Sequence, residues 1–257
     1  MEMLYENEWL IFIISSVIFF VATEVGFRVG HFRRPSADES TKSVATTFQA
    51  AILTLLGLLL GFTLSMALSR IELRKQMVVE ESNAIGTTYL RAQLLPEPEK
   101  TEISRLLRQY VDVRLEGART GKLQDAITKS EDLHDQLWLQ AVAAGKKTPQ
   151  PFPTGLFIQS LNEVIDIHSK RLRAAQDHVP ESILLLLFTV AIFGMGAIGY
   201  GCGLANGHFI ISRLAMAVLI AVVMLAIIDL DQPGRGFIRV SQQSMISLRG
   251  NINKLAP

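Results

Sequence analysis

Residues 54–70 read TLLGLLLGFTLSMALSR. The run is apolar from about Val44 to Leu68, which exceeds the ~20 residues needed to cross the hydrocarbon core of a bilayer. Two rows recur inside it at four-residue spacing. Gly57, Gly61 and Ser65, continued by Ser69, are small; Thr54, Leu58 and Phe62 are larger. At about 100° per residue the larger row occupies an arc of roughly 80°, and the small row lies roughly 60° to one side. Small residues four apart let helices approach closely. A helix that met a copy of itself through Gly57, Gly61 and Ser65 would aim Thr54, Leu58 and Phe62 at a shared axis. There they would form a hydrophobic constriction of the kind that gates by dewetting.

Working outward, three more segments are long and apolar enough to span: Trp9 to Phe27, Ser182 to Leu204 and Phe209 to Ile228. Tyr5 and Trp9 are placed as interfacial anchors. The acidic start MEMLYENEW lacks the basic region of a secretory signal, so the first span is expected to be retained. The short connection Ala205-Asn206-Gly207 predicts a close antiparallel hairpin of the last two spans. The expected division is 1–70 (spans one and two), 71–180 (a polar helical region), 181–231 (spans three and four) and 232–257 (a tail).

The polar region reads as helix throughout. Residues 71–92 contain no proline, so the second span is expected to continue out of the membrane as one long helix. LLPEPEK interrupts it, and Pro96 and Pro98 restart a helix with an acidic first turn. Ile103, Leu106, Leu107, Tyr110, Val111 and Leu115 then recur at helical spacing. Gly117 and Gly121 are expected to end that helix, with further helices over about 122–144 and 154–178 and a proline-rich loop, GKKTPQPFP, between them. Following the Phe62 face beyond the span gives Ser69, Leu73, Gln76, Glu80, Asn83 and Thr87. This mostly polar row suits a wet vestibule, with Glu80 as a carboxylate ring favouring cations.

The totals exclude several functions. The chain has 257 residues, 49% hydrophobic and 19% charged, with mean hydropathy +0.30; soluble domains carry about 25% charged residues. A net charge of +1 offers no basic excess for nucleic acid. The lone Cys202 can form no intrachain disulfide. The histidines are scattered, without metal-ligand spacing, and no nucleophile motif appears, so neither metal, cofactor nor enzymatic activity is expected. GMGAIG at 194–199 matches a dinucleotide pattern, but it lies inside an apolar span and is read as close helix packing. Glu24 and Arg28, four apart at the end of the first span, are read as a self-screening interfacial pair. Arg213, Asp229 and Asp231 invite the same reading. With four spans, both termini and 71–180 share one side. Basic residues flanking the spans favour the cytoplasm for that side and the cell's inner membrane for the protein.

The residues Leu60-Gly61-Phe62, the stretch SMALSRIELRKQMVVEESNAIGTTYLRAQLLPEP (65–98) and LLRQYVDVRL (106–115) carry a resemblance. The chain is similar to the prokaryotic bestrophin-like membrane proteins, a domain family of unknown function, and more distantly to the bestrophin ion channels. The resemblance implies an all-α membrane protein with four transmembrane helices and a helical cytosolic domain between the second and third. It also implies a homo-oligomer, a pentamer, whose central pore passes inorganic ions. The bestrophin neck falls on Phe62, Leu58 and Thr54, the row reached from the wheel. Three departures stand out. Thr54 is polar where a branched apolar or aromatic residue is usual. Ile71 and Glu72 occupy the place of an aromatic pair. The acidic calcium clasp is reduced to Asp229, Asp231 and the turn Gln232-Pro233-Gly234. The competing function is a non-conducting membrane scaffold or sensor whose helical domain binds a partner.

Overall fold

The computed structural model describes residues 8–147, 151–205, 210–232 and 238–254. Among them are eight α-helices and no strand: α1 (Glu8–Arg33), α2 (Glu39–Ala92), α3 (Glu99–Thr120), α4 (Leu123–Lys147), α5 (Pro151–Gln176), α6 (Glu181–Leu204), α7 (Ile210–Asp231) and α8 (Gln243–Lys254). They group into two compact units, Met1–Ser69 with His178–Gln232, and Arg70–Asp177 with Pro233–Pro257. The boundary falls inside α2, which is continuous for 54 residues, as the absence of proline over 71–92 predicts. Its start is capped by Asp38, whose Oδ1 accepts from the Thr41 N–H at 2.8 Å. Its end tightens through i→i−3 bonds to Leu90, Arg91 and Ala92 carbonyls before the Pro96 and Pro98 segment.

In the first unit, α1, the early part of α2, α6 and α7 include the four helical stretches long and apolar enough to cross a membrane. The buried seam contains Phe19, Leu56, Leu187, Met195, Ala217 and Met224. The expected hairpin of α6 with α7 is corrected. Residues 206–209 lie outside the described residues, and α6 packs chiefly on α1, far less on α7. The physical reason is the glycine content of α6. A Cβ at Gly199 would lie 2.8 Å from Phe27 N, and one at Gly203 would lie 2.6 Å from His31 N. Only glycine lets the two backbones meet so closely. GMGAIG is thus a packing face.

The second unit is built from the rest of α2 with α3, α4, α5 and α8 around Ile85, Tyr89, Leu107, Tyr110, Leu137, Phe157 and Leu161. Gly121 ends α3 with φ 71°, the left-handed region that favours glycine. Gly117 has another role: it is buried within α3, where a Cβ would strike the Cβ of Ala126 on α4. The expected loop at 145–153 is mostly helix, since α4 runs to Lys147 and α5 starts at Pro151. Proline is tolerated in a first helical turn because its missing N–H has no partner there. The tail segment carries α8, which buries Met245 and Ile252 in this unit's core.

Candidate functional site

Within the first unit α2 buries one face and leaves another open. Leu56, Thr63 and Ala67 are buried. Thr54, Gly57, Gly61 and Ser65 are exposed, and so are Leu58 and Phe62, at 55% and 65%. A Cβ added at Gly57 or Gly61 would meet no atom of the described residues within 4 Å. Both rows therefore lie on the unoccupied side of the helix. Thr54 is less polar than its name suggests: its Oγ1 donates to the Ala50 carbonyl at 2.9 Å, so the hydroxyl proton is satisfied inside the helix. Ser69 is also exposed.

In the second unit the same helix keeps the division. Leu73, Gln76, Asn83 and Thr87 are exposed and Glu80 is half-buried. Gln76 Nε2 donates to Glu80 Oε1 at 2.7 Å, so the two expected vestibule residues are neighbours. The opposite face carries Ile71, Arg74, Val78, Glu81 and Ile85, all buried.

Glu81 is the charged centre that the sequence reading passed over in favour of Glu80. It has no exposed side-chain surface, and Arg114 Nε lies 3.0 Å from its Oε1. Arg171 pairs with its other oxygen, and the Tyr110 hydroxyl donates to Oε1 at 2.6 Å. Burial by itself would raise the Glu81 carboxyl, but the Arg114 and Arg171 guanidinium groups and the Tyr110 hydroxyl hold it down at about 2. The Tyr110 oxygen lies 3.2 Å from His168 Nδ1. Its one proton is committed to Glu81, so His168 Nδ1 must be the donor, which fixes the tautomer. His134 meets His168 edge-on at 4.9 Å between ring centroids. Burial pushes both imidazoles down to about 4, so they are neutral at pH 7.

The first unit holds a second charge cluster, of which Arg213 is buried and Arg28 exposed. Glu24 binds Arg28 at 3.0 Å, as the spacing predicts, and also Arg213 at 3.3 Å. Arg213 lies 4.1 Å over the Phe27 ring. The pair is therefore a three-residue clasp joining α1 to α7. Asp231 accepts from the Val179 N–H at 2.8 Å and lies 3.2 Å from His178 Nδ1. It ties the end of α7 to the residues before α6. Pro233 and Gly234 of the expected turn lie outside the described residues, as do Tyr5 and His208.

The Bestrophin-like domain family matches residues 16–245. The chain belongs to the Bestrophin-like family. Its fold is also that of solved bestrophin homologues. A bacterial bestrophin homologue from Klebsiella pneumoniae, crystallised as a single-residue variant, superposes with TM-score 0.67 at 14% identity, covering 95% of this chain and 98% of that one. A second crystal structure of that homologue gives TM-score 0.67 at 15% identity, covering 95% and 97%. At this identity the likeness is one of fold. Comparison with curated proteins finds no match. This bestrophin-like chain is thus an all-helical, multi-pass membrane protein by family, by fold and by its four apolar helices.

Proposed function

We propose that this bestrophin-like protein assembles as a homo-oligomer, a pentamer, around α2 and conducts ions passively through the axis so formed. The carrying observation is the open face of α2. Leu58 and Phe62 stand exposed beside two glycines that face nothing within 4 Å among the described residues. In a protomer meant only to sit in lipid, such glycines would cost helix propensity and gain no packing. In an assembly they let neighbouring helices approach and bring the larger row onto the axis. The inward order is then Thr54, Leu58 and Phe62 as the constriction. Ser69, Gln76 and Glu80 line the vestibule, and Gly57, Gly61 and Ser65 form the subunit seam. The internal hydrogen bond of Thr54 supports including it in an apolar neck. The membership of the chain in a family named for the bestrophins supports conduction over scaffolding. The protein would lie in the inner membrane with its termini and 71–180 cytoplasmic.

Recording from purified protein in planar bilayers tests the reading, with the oligomer mass read in parallel by native mass spectrometry. Wild type should pass current. Glu80→Lys, which reverses a ring of charge, should shift the reversal potential toward anions. An unchanged ion preference would remove Glu80 from the pore, and a monomeric or dimeric mass would remove the pore itself.

A further inference from the structure

We propose that the second unit contains a binding site for a small neutral compound with a flat ring, in a cavity separate from the open face of α2. The cavity has a volume of about 380 Å³ and opens between α2, α3, the start of α4, α5 and the segment before α8. That is within the range of small-molecule sites, about 300–1,000 Å³, and an apolar cavity of about 150 Å³ already holds benzene. The room exists because short residues, Gly117, Ala118, Gly121 and Ala175, stand in its wall where longer ones would fill it. Val78, Ile127 and Leu172 supply apolar surface.

Charge decides what fits. Arg74, Arg114, Arg171 and Arg239 line the cavity, but three of the four guanidinium groups are engaged within the protein. Arg74 donates from Nε to the Ala174 carbonyl at 3.0 Å and from Nη2 to the Asp177 carbonyl at 2.7 Å. Arg114 and Arg171 share the Glu81 carboxylate, and Arg171 Nη2 donates to Gln242 Oε1 at 3.0 Å. The Gln242 amide is spent in turn on the Val240 carbonyl at 3.1 Å. An anion would have to take these donors from their partners, and Arg239, which is exposed, offers it one charge at the surface. A cation fares no better. No described lining residue is acidic, and the Glu81 side chain has no exposed surface. Guanidinium N–H groups lie in the plane of the group, so pairing them leaves its flat faces, on which rings stack. The methylene stems of the arginines add apolar wall. A neutral flat ring therefore meets this wall without stripping a hydrogen bond from it, and it displaces water from apolar surface. Binding here does not depend on whether the chain conducts.

Isothermal titration of the full chain in detergent at pH 7 tests it with four probes of one shape: 2-naphthol, decahydro-2-naphthol, 2-naphthoate and 2-naphthylmethylammonium. 2-Naphthol should bind saturably. The two ions should bind about 10-fold more weakly or worse, because each buries a charge without a partner. The saturated alcohol should bind about 2- to 5-fold more weakly, the loss of stacking on a guanidinium face. Ala175→Phe and Ala118→Phe each place a ring in the cavity and should abolish saturable 2-naphthol binding, which also separates it from uptake by the micelle. Ala118 is exposed, so that variant should melt as wild type does. On the unmutated protein, 2-naphthol should slow amide exchange over 117–127, 171–175 and 239–242. The proposal is overturned if 2-naphthol does not bind saturably, if either ion or the saturated alcohol binds as tightly, if both variants bind as wild type does, or if protection falls only elsewhere.

Discussion

Replacing Gly199 by alanine should damage the membrane unit out of proportion to one methyl group. The new Cβ would strike the Thr23 carbonyl oxygen and sit 2.8 Å from both the Phe27 nitrogen and the Thr23 carbonyl carbon. Carbon needs about 3.5 Å from such atoms, so α1 and α6 must part by at least ~0.7 Å at that level. A gap of that size forfeits about a quarter to a half of each contact well along the seam. The obstacle is backbone on a neighbouring helix, which no rotamer change can move aside. We take the upper end of the overpacking range, about 3 kcal/mol. At about 2–4 °C per kcal/mol for a chain of this size, the melting temperature should fall by about 6–12 °C. The control is Gly57→Ala, whose Cβ meets no atom of the described residues within 4 Å. Its effect on the fold should be within about 0.5 kcal/mol, while close contact between copies should suffer. Circular dichroism melts of both variants in one detergent provide the comparison. Equal melting temperatures for Gly199→Ala and wild type would refute the backbone-contact reading.

Other perturbations separate the remaining claims. Glu81→Ala should cost about 3–5 kcal/mol, because Arg114 and Arg171 are left buried without their counter-charge; a chemical-denaturation midpoint equal to wild type would refute that role. Acid should destabilise the second unit in two windows. His134 and His168 titrate near 4 when folded against an ordinary 6.5, so the unfolded chain binds more protons between those values and stability falls as pH drops from about 6.5 toward 4. Glu81, held at about 2 against an ordinary 4.5, adds a loss below pH 4.5. A melting temperature flat from pH 7 to 4.5 would contradict the histidine contribution. Arg213→Leu should lower stability by removing its contacts to Glu24 and Phe27, and Glu24→Gln in the same background should add less than it does in wild type. Additive losses would show that Glu24 and Arg213 do not act together.

The architecture was largely legible because the signals that set it are coarse. A run as apolar as 44–68 has one favourable environment, and the absence of proline from 71–92 leaves nothing to stop its helix. The open row on α2 was legible for a related reason, since helical phase follows from residue number. What escaped reading depended on partners distant in sequence. Glu80 and Glu81 are adjacent carboxylates, and only the fold assigns one to the open side and the other to Arg114 and Arg171. A trace of that assignment existed: Arg74 and Glu81 share a face with Ile71, Val78 and Ile85, and Tyr110 and Arg114 stand one turn apart. The pairing of Glu24 with Arg213 spans 189 residues, and local spacing offered Arg28 alone. The α6–α7 hairpin was overestimated because a short connection limits separation without dictating contact. Glycines that match the α1 backbone decide where α6 packs. Helix α8 is short, with only Met245 and Ile252 buried among its residues, too faint a stripe to identify before the core it completes was known.

The central claim is that Phe62 stands at the narrowest point of a conducting axis formed by copies of α2. Single-channel recording of wild type and Phe62→Ala in planar bilayers, with insertion confirmed by protease protection, tests it most directly. Removing the ring should widen the constriction and ease its wetting, so the variant should show larger unitary current or longer openings than wild type. Absence of current from both proteins would contradict the account and favour a non-conducting scaffold.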